Sequence, residues 1–377
     1  MKKLLYLVSE DWFFCSHFIE RAAAALAAGY DVTVMTHLTA PNSEAAIRAR
    51  GLKLVPFGLD RGSTNPFKEI AVIGQVYRAY RAIKPDIVHH VAMKPVLYGT
   101  IAALLAGVPA IVNAPVGMGY IFSSYALRAQ ILRVPLKVGL WILLNPRRSK
   151  VIFENEDDLN RLTLKSYVAA KDAVLIRGAG IDLGKYAVKP EPQGVPVVIL
   201  VARMLRDKGV VEFVEAARML RARGVKARFL LVGAPDALNH AAISEDMLRG
   251  WHREGVVEWL GQRREIPELL QASAIACLPS YREGLPKSLL EALSCGRPVV
   301  TTDVEGCRET VTDGLNGFVV PAKNAQALAD ALQKLIDNPA LRQQMGHEGR
   351  RRAETEFSQQ RIIDETLQVY AGLQGLW

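Results

Sequence analysis

Residues 280–292 read Ser-Tyr-Arg-Glu-Gly-Leu-Pro-Lys-Ser-Leu-Leu-Glu-Ala, and their two carboxylates, Glu283 and Glu291, could serve a ligand at a helix start. The apolar run at 272–278 suits a buried strand, and Pro286 suits a first helical position, where its missing N–H would be unpaired anyway. The segment therefore reads strand, loop, helix. Leu285 has no side-chain oxygen to cap that helix, so its first-turn N–H groups lack a local acceptor that a bound anion could supply. Glu283 would then lie over the helix start and Glu291 along its flank. A competing reading needs no ligand: Glu283 caps the helix and Glu291 faces solvent.

Arg203 and Lys208 form a second set. They follow the apolar run Val197–Val201, at a strand's carboxyl end beside a helix start, where a diphosphate sits in an open parallel sheet. Cations are disfavoured at the positive end of a helix unless an anion is present. With the helix near Pro286, the pair would surround a leaving diphosphate with positive potential and take the place of a divalent metal. Donors aimed at the departing phosphate stabilise the transition state more than the ground state. No Asp-x-Asp stands at a convincing strand end. The expectation is chemistry with no metal and no cofactor.

The elements that position these residues alternate. Strands are predicted at Leu4–Val8, Val32–Met35, Leu52–Val55, 85–90, 109–113, Val151–Phe153 and Ala173–Arg177, with helices at Phe18–Ala28, 67–83, 95–106 and 156–166 between them. Leu183–Pro196, which contains Pro190, Pro192, Gly194 and Pro196, reads as the boundary. Alternation restarts beyond it with strands at Val197–Val201, Phe229–Val232, Val256–Leu260 and 274–278. A length of 377 residues, half of them hydrophobic, fits two domains at roughly 150 residues each. Such alternation implies two Rossmann-like α/β domains, each a doubly wound parallel sheet, facing across a cleft: residues 1–185 and residues 195–357, followed by a last helix at about 358–377.

The stretch EGLPKSLLEALSCGRPVV, followed by TTDVEGCRETVTDGLNGFVVPAKNAQALADAL, resembles the donor-site signature of the retaining nucleotide-sugar glycosyltransferases of family 4, which have the GT-B fold. The resemblance implies that the last helix, here at about 358–377, crosses back to the first domain, as it does in that fold. The Arg203-x4-Lys208 spacing matches that family's cation pair. Two N-terminal stretches, Glu10–Phe14 with Ser16-His17 and Asn113–Phe122, resemble bacterial members that build O-antigen and capsule chains. The resemblance implies that Glu283 holds hydroxyls of the donor sugar beside the N–H groups of Gly284 and Leu285. It implies that Glu291 binds the ribose and that the base rests against the loop at Gly261. It also implies retention of configuration by same-face attack, with the departing phosphate accepting the proton and no protein nucleophile.

Family members often carry a histidine in the loop after the strand matching 109–113, and residues 111–120 contain none. His17, His89, His90 and Lys94 are the candidates on the acceptor side, each also readable as an ordinary partly buried side chain. Charge points the same way. Residues 1–188 carry 23 Lys+Arg against 14 Asp+Glu, whereas 189–377 carry 24 against 24, so the net +9 belongs wholly to the first half. That half is expected to meet an anion, either a phosphorylated acceptor or an acidic membrane surface. Nucleic acid is not expected, because no nucleic-acid-binding signature is present. Residues 125–148 mix apolar side chains with five cations, which suits either a membrane-interface helix or a surface helix packed on the domain.

Cys15, Cys277, Cys295 and Cys307 lack metal or redox spacing and are expected to be reduced thiols of a cytosolic protein. The apolar start stops at Ser9-Glu10-Asp11, too short for a signal peptide. The acidic run Glu154–Asp158 precedes a helix and reads as capping. The function expected is transfer of a sugar, from a nucleotide-sugar that is a UDP-sugar and possibly a UDP-HexNAc, to a lipid-diphosphate-linked surface-polysaccharide acceptor. This would take place on the cytoplasmic face of the inner membrane, with the enzyme bound peripherally. The alternatives are a nucleotide-sugar 2-epimerase and a catalytically silent nucleotide-sugar-binding scaffold.

Overall fold

The computed structural model describes residues 1–59, 65–116, 139–236 and 239–374. It divides into two units, Met1–Ala179 with the chain from Ile362 onward, and Gly180–Arg361. The first holds strands β1 (Lys2–Val8), β2 (Tyr30–Thr36), β3 (Lys53–Pro56), β4 (Ile87–Val91), β5 (Ala110–Ala114), β6 (Ser149–Phe153) and β7 (Ala173–Leu175), in the order β3-β2-β1-β4-β5-β6-β7. The second holds β8 (Val197–Val201), β9 (Arg228–Val232), β10 (Glu258–Trp259), β11 (Ile275–Leu278), β12 (Val299–Thr302) and β13 (Gly317–Val320), in the order β10-β9-β8-β11-β12-β13. All pairings are parallel.

Parallel strands must be covered on both faces, and the sequence meets this with unbroken apolar runs rather than alternation. Leu4 to Val8 are all buried, as are Val198, Ile199 and Leu200. In each sheet the order reverses once, beside β1 in the first unit and beside β8 in the second. Successive connections there leave in opposite directions and open a crevice at the carboxyl ends of β1 and β4, and of β8 and β11.

Three expectations shift. The stretch between the predicted strand Leu4–Val8 and the predicted helix Phe18–Ala28, where the sequence predicts no element, is mostly a helix, Asp11–His17. Asp11 explains this: its buried carboxylate accepts from the amides of Trp12 (2.8 Å), Thr39 (3.0 Å) and Ala40 (2.9 Å), tying the helix start to the turn after β2. The division between units falls at Ala179/Gly180, ahead of the expected 185–195, and Leu183–Pro196 belongs to the second unit. Arginines distant in sequence hold it there. Arg350 donates to the carbonyls of Leu183 and Tyr186, Arg297 to that of Lys189, and Arg342 pairs with Glu191. Third, the helix Glu156–Leu164 is capped by Asn155, whose side chain accepts from the Asp158 amide at 2.7 Å, while the expected acidic residues fill the first turn.

Residues 117–122 of the Asn113–Phe122 stretch and residues 125–138 lie outside the described residues. Beyond them Leu140 and Leu144 are buried with Val96 and Val151, while Trp141 is 54% exposed. Cys277, Cys295 and Cys307 are buried free thiols. No helix among the described residues is long and apolar enough to cross a membrane.

The C-terminal helix, Gln359–Gln374, places Ile362, Tyr370 and Leu373 in the first unit's core. There the Tyr370 hydroxyl lies 2.6 Å from the Tyr6 hydroxyl and 2.6 Å from Nδ1 of His89, all three residues being buried. Burial pushes the Tyr6 phenol up to about 12, so this chain stays uncharged. Tyr370→Phe leaves two buried polar atoms without this partner and is expected to cost about 1–3 kcal/mol. Denaturant titration against the parent measures it, and an unchanged midpoint would count against the network.

Candidate functional site

The crevice of the second unit is built by the chain leaving β8 and the chain leaving β11. After β8 comes a single 3-10 turn, Arg206–Lys208, and then Gly209 at φ 69°, which starts the helix Val210–Ala222. A Cβ at Gly209 would lie 2.0 Å from the Pro279 carbonyl oxygen, so only glycine lets this turn sit against the end of β11. The Asp207 carbonyl accepts from the Tyr281 amide (2.8 Å) and the Ser280 hydroxyl (2.9 Å). These bonds register the two loops on each other. As a result Lys208 Nζ meets Glu283 Oε1 at 2.5 Å, with both side chains largely buried.

The Glu283 loop is held from its other side by the loop after β12. Glu283 N donates to the Glu305 carbonyl at 3.3 Å, and Arg282 pairs with the Glu305 carboxylate at 3.2 Å. Gly306 stands at φ 74°, where a Cβ would be 2.1 Å from the Gly284 carbonyl oxygen and 2.7 Å from that of Glu283. Its missing side chain therefore sets how closely the Glu283–Gly284 backbone can approach.

The following helix, Lys287–Ser294, begins one residue later than expected, because Pro286 is extended (φ −73°, ψ 107°) and occupies the cap position. No side chain caps it, so Glu283 is not the cap. Leu285 is buried and can offer only its backbone to a ligand. Glu291 does not face solvent. It is 8% exposed, and its Oε1 accepts from the Tyr186 hydroxyl at 2.7 Å with Lys287 Nζ at 4.0 Å. Burial raises its pKa, against the pull of Lys287 and Tyr186. Tyr186 lies in the segment read as the domain boundary, where no local pattern marks it.

Arg203 is placed differently from Lys208. Its Nη1 pairs with Asp236 Oδ2 at 2.7 Å, in the loop after β9. The loops after β8, β9 and β10 are joined by backbone bonds, Met204 N to Ala234 O (3.0 Å) and Gly233 N to Gly261 O (2.8 Å). Gly261 stands at φ 68°, and the Trp259 indole donates to the Gly233 carbonyl at 2.9 Å.

In the first unit the acceptor-side candidates separate. His90 is fully buried: Nε2 contacts the Tyr80 hydroxyl at 3.0 Å and Nδ1 the Asn113 side-chain oxygen at 2.8 Å. Burial lowers its pKa to about 4, against the pull of Asn113. Its ring fits only because residue 99 is glycine, where a Cβ would lie 2.6 Å from the imidazole. His90 therefore belongs to the core and not to an acceptor surface, and His89, equally buried, belongs with Tyr370. His17 is partly exposed and stacks on Phe13 at 4.2 Å. Lys94 pairs with Glu69 at 3.0 Å, so its charge is already balanced. Ala92, between β4 and Lys94, holds φ 78° and ψ 162°, a conformation that side chains disfavour.

Two parallel-sheet α/β units, the second with a cation and a carboxylate meeting at its switch point, are the architecture of the GT-B fold. The whole chain superposes on sucrose-phosphate synthase from Thermosynechococcus elongatus with TM-score 0.80, at 20% identity and full coverage of both chains. An Anabaena protein, HepE, solved with UDP and glucose, superposes with TM-score 0.76 at 18% identity, covering 98% of this chain and 100% of that one. Residues 185–352 match the family described as glycosyl transferases group 1, and residues 3–141 match glycosyl transferase 4-like. The chain is 31% identical over 312 residues to N,N'-diacetylbacillosaminyl-diphospho-undecaprenol alpha-1,3-N-acetylgalactosaminyltransferase of Campylobacter jejuni, covering 78% of this chain and 80% of the relative. The protein belongs to glycosyltransferase family 4 and is a glycosyltransferase.

Two outcomes follow from this geometry. Between pH 6.5 and 4 the unfolded chain binds a proton at His90 that the folded chain does not, so His90 makes stability fall as pH falls through that window. The lowered pKa corresponds to about 3 kcal/mol over the whole range. Melting temperatures of His90→Asn between pH 6.5 and 5 should show a shallower slope than the parent, and equal slopes would refute it. Gly306→Ala is expected to displace the Glu283–Gly284 backbone and lower kcat/KM at least about tenfold. Steady-state kinetics of the folded variant test this, and parent-like values would remove Gly306 from the positioning role.

Proposed function

We propose that the protein transfers a sugar, with retention of configuration and without a divalent metal, from a UDP-sugar to a lipid-diphosphate-linked polysaccharide precursor. The carrying observation is the Lys208–Glu283 pair at 2.5 Å, directly before a helix whose start no side chain caps. Lys208 and the helix's amide end would meet the leaving diphosphate, whose developing charge they stabilise. Glu283, held by that same lysine, is placed to grip the sugar's hydroxyls rather than to attack its anomeric carbon. Attack on the face of the departing phosphate, with that phosphate taking the acceptor's proton, then needs no protein nucleophile. Glu291 and Tyr186 would bind the ribose and set its position.

The acceptor class draws support from the Campylobacter jejuni relative, whose name contains a diphospho-undecaprenol carrier and an N-acetylgalactosaminyl group. That name supports a HexNAc donor here, and the HepE complex supports uracil as the base. Binding at the cytoplasmic face of the inner membrane draws support from the first unit. The positive excess lies in that half of the sequence, and among the described residues Phe67 (82%), Ile70 (65%), Leu105 (66%) and Trp141 (54%) are exposed there.

A panel of nucleotide-sugars, followed by acceptor-dependent nucleotide release with and without EDTA, tests the reading. Release from UDP-HexNAc that needs the lipid-linked acceptor and survives EDTA is expected, with at least about 100-fold slower turnover in Glu283→Ala. Activity abolished by EDTA would remove the metal-free step. Free sugar released without acceptor would indicate the epimerase, and full activity in Glu283→Ala would indicate that Glu283 has another role.

A further inference from the structure

The two cations of the second unit's crevice are each paired with a carboxylate, Lys208 with Glu283 and Arg203 with Asp236. Glu283 has a part in holding the sugar. Asp236 has none, and its carboxylate occupies the guanidinium that a diphosphate would use. We propose that Asp236 is an exchangeable counter-ion: it holds Arg203 while the site is empty, yields it to the nucleoside diphosphate, and reclaims it when that product leaves. The inference rests on reading the second unit as the donor site.

The form of the contact supports exchange rather than permanent support. Elsewhere in this unit Arg228 grips Glu258 through two contacts, its Nε and Nη2 each lying 2.8 Å from a separate oxygen. Arg203 meets Asp236 through Nη1 alone at 2.7 Å, and its side chain stays 42% exposed, open to a second anion. A single-contact exposed pair contributes little to stability, so a doubly charged phosphate group can displace it. The loop carrying Asp236 does not need to drift for this. Backbone bonds from Ala202 N to the Val232 carbonyl (3.1 Å) and from Met204 N to the Ala234 carbonyl (3.0 Å) hold it beside Arg203's own loop, so the carboxylate remains within reach and repels bound phosphate after exchange. Asp236 thereby weakens the nucleotide complex and favours release.

Calorimetric titration of the full chain with UDP, GDP and ADP, and with the nucleoside of the tightest binder, tests this for the parent, Asp236→Asn, Asp236→Ala, Arg203→Ala and the Arg203→Ala/Asp236→Asn double variant. Both Asp236 variants are expected to bind the nucleoside diphosphate about three- to tenfold tighter. Nucleoside affinity should move less than twofold, and the gain should vanish when Arg203 is absent. Unchanged or weaker diphosphate binding in both Asp236 variants would overturn the proposal and make Asp236 a support for Arg203. A parent that binds none of the three diphosphates would instead overturn the donor-site reading, and this inference with it.

Discussion

The second unit depends on an opposite-charge contact made where its sheet changes direction. Lys208 leaves β8 and Glu283 leaves β11, and these neighbouring strands are the ones whose connections run to opposite sides. An ammonium and a carboxylate 2.5 Å apart, with little water around them, attract strongly and cannot be separated without an incoming group of matching charge. The pair thus ties the chain leaving β8 to the chain leaving β11.

Its surroundings are organised to keep it there. Gly209 allows the Lys208 turn onto the Pro279 carbonyl, and Gly306 allows the β12 loop onto Gly284. The Asp207 and Glu305 carbonyls accept from the amides that follow β11. Each contact joins backbone to backbone across different strand ends. The site is therefore fixed by rigid elements rather than by the side chains that do the chemistry. The first unit shows the other use of polar groups: buried His89, Tyr6 and Tyr370 join the C-terminal helix to the sheet, and buried His90 joins β4 to Tyr80 and Asn113.

These two uses look alike in one dimension. A histidine at the end of β4 reads equally well as an acceptor-side group or as core. Only the partners, Tyr80 beside His90 and Tyr370 beside His89, separate the cases. Burial also decided between readings of Glu291: a carboxylate on a helix flank can face water or a ligand, and here it lies under Tyr186.

The sequence by itself determined eleven of the thirteen described strands, several of the helices and the family, while β12 and β13 went unassigned. Apolar runs of strand length and glycine and proline punctuation are local signals, and EGLPKSLLEALSCGRPVV is a contiguous one. It also located Lys208 and Glu283 at strand ends. The tertiary structure alone decided which charges meet. Arg203 and Asp236 are 33 residues apart, Lys208 and Glu283 are 75, and Tyr186 and Glu291 are 105. Such pairings are set by which strands neighbour each other in the sheet and by which glycines let their loops touch, and no local pattern encodes either.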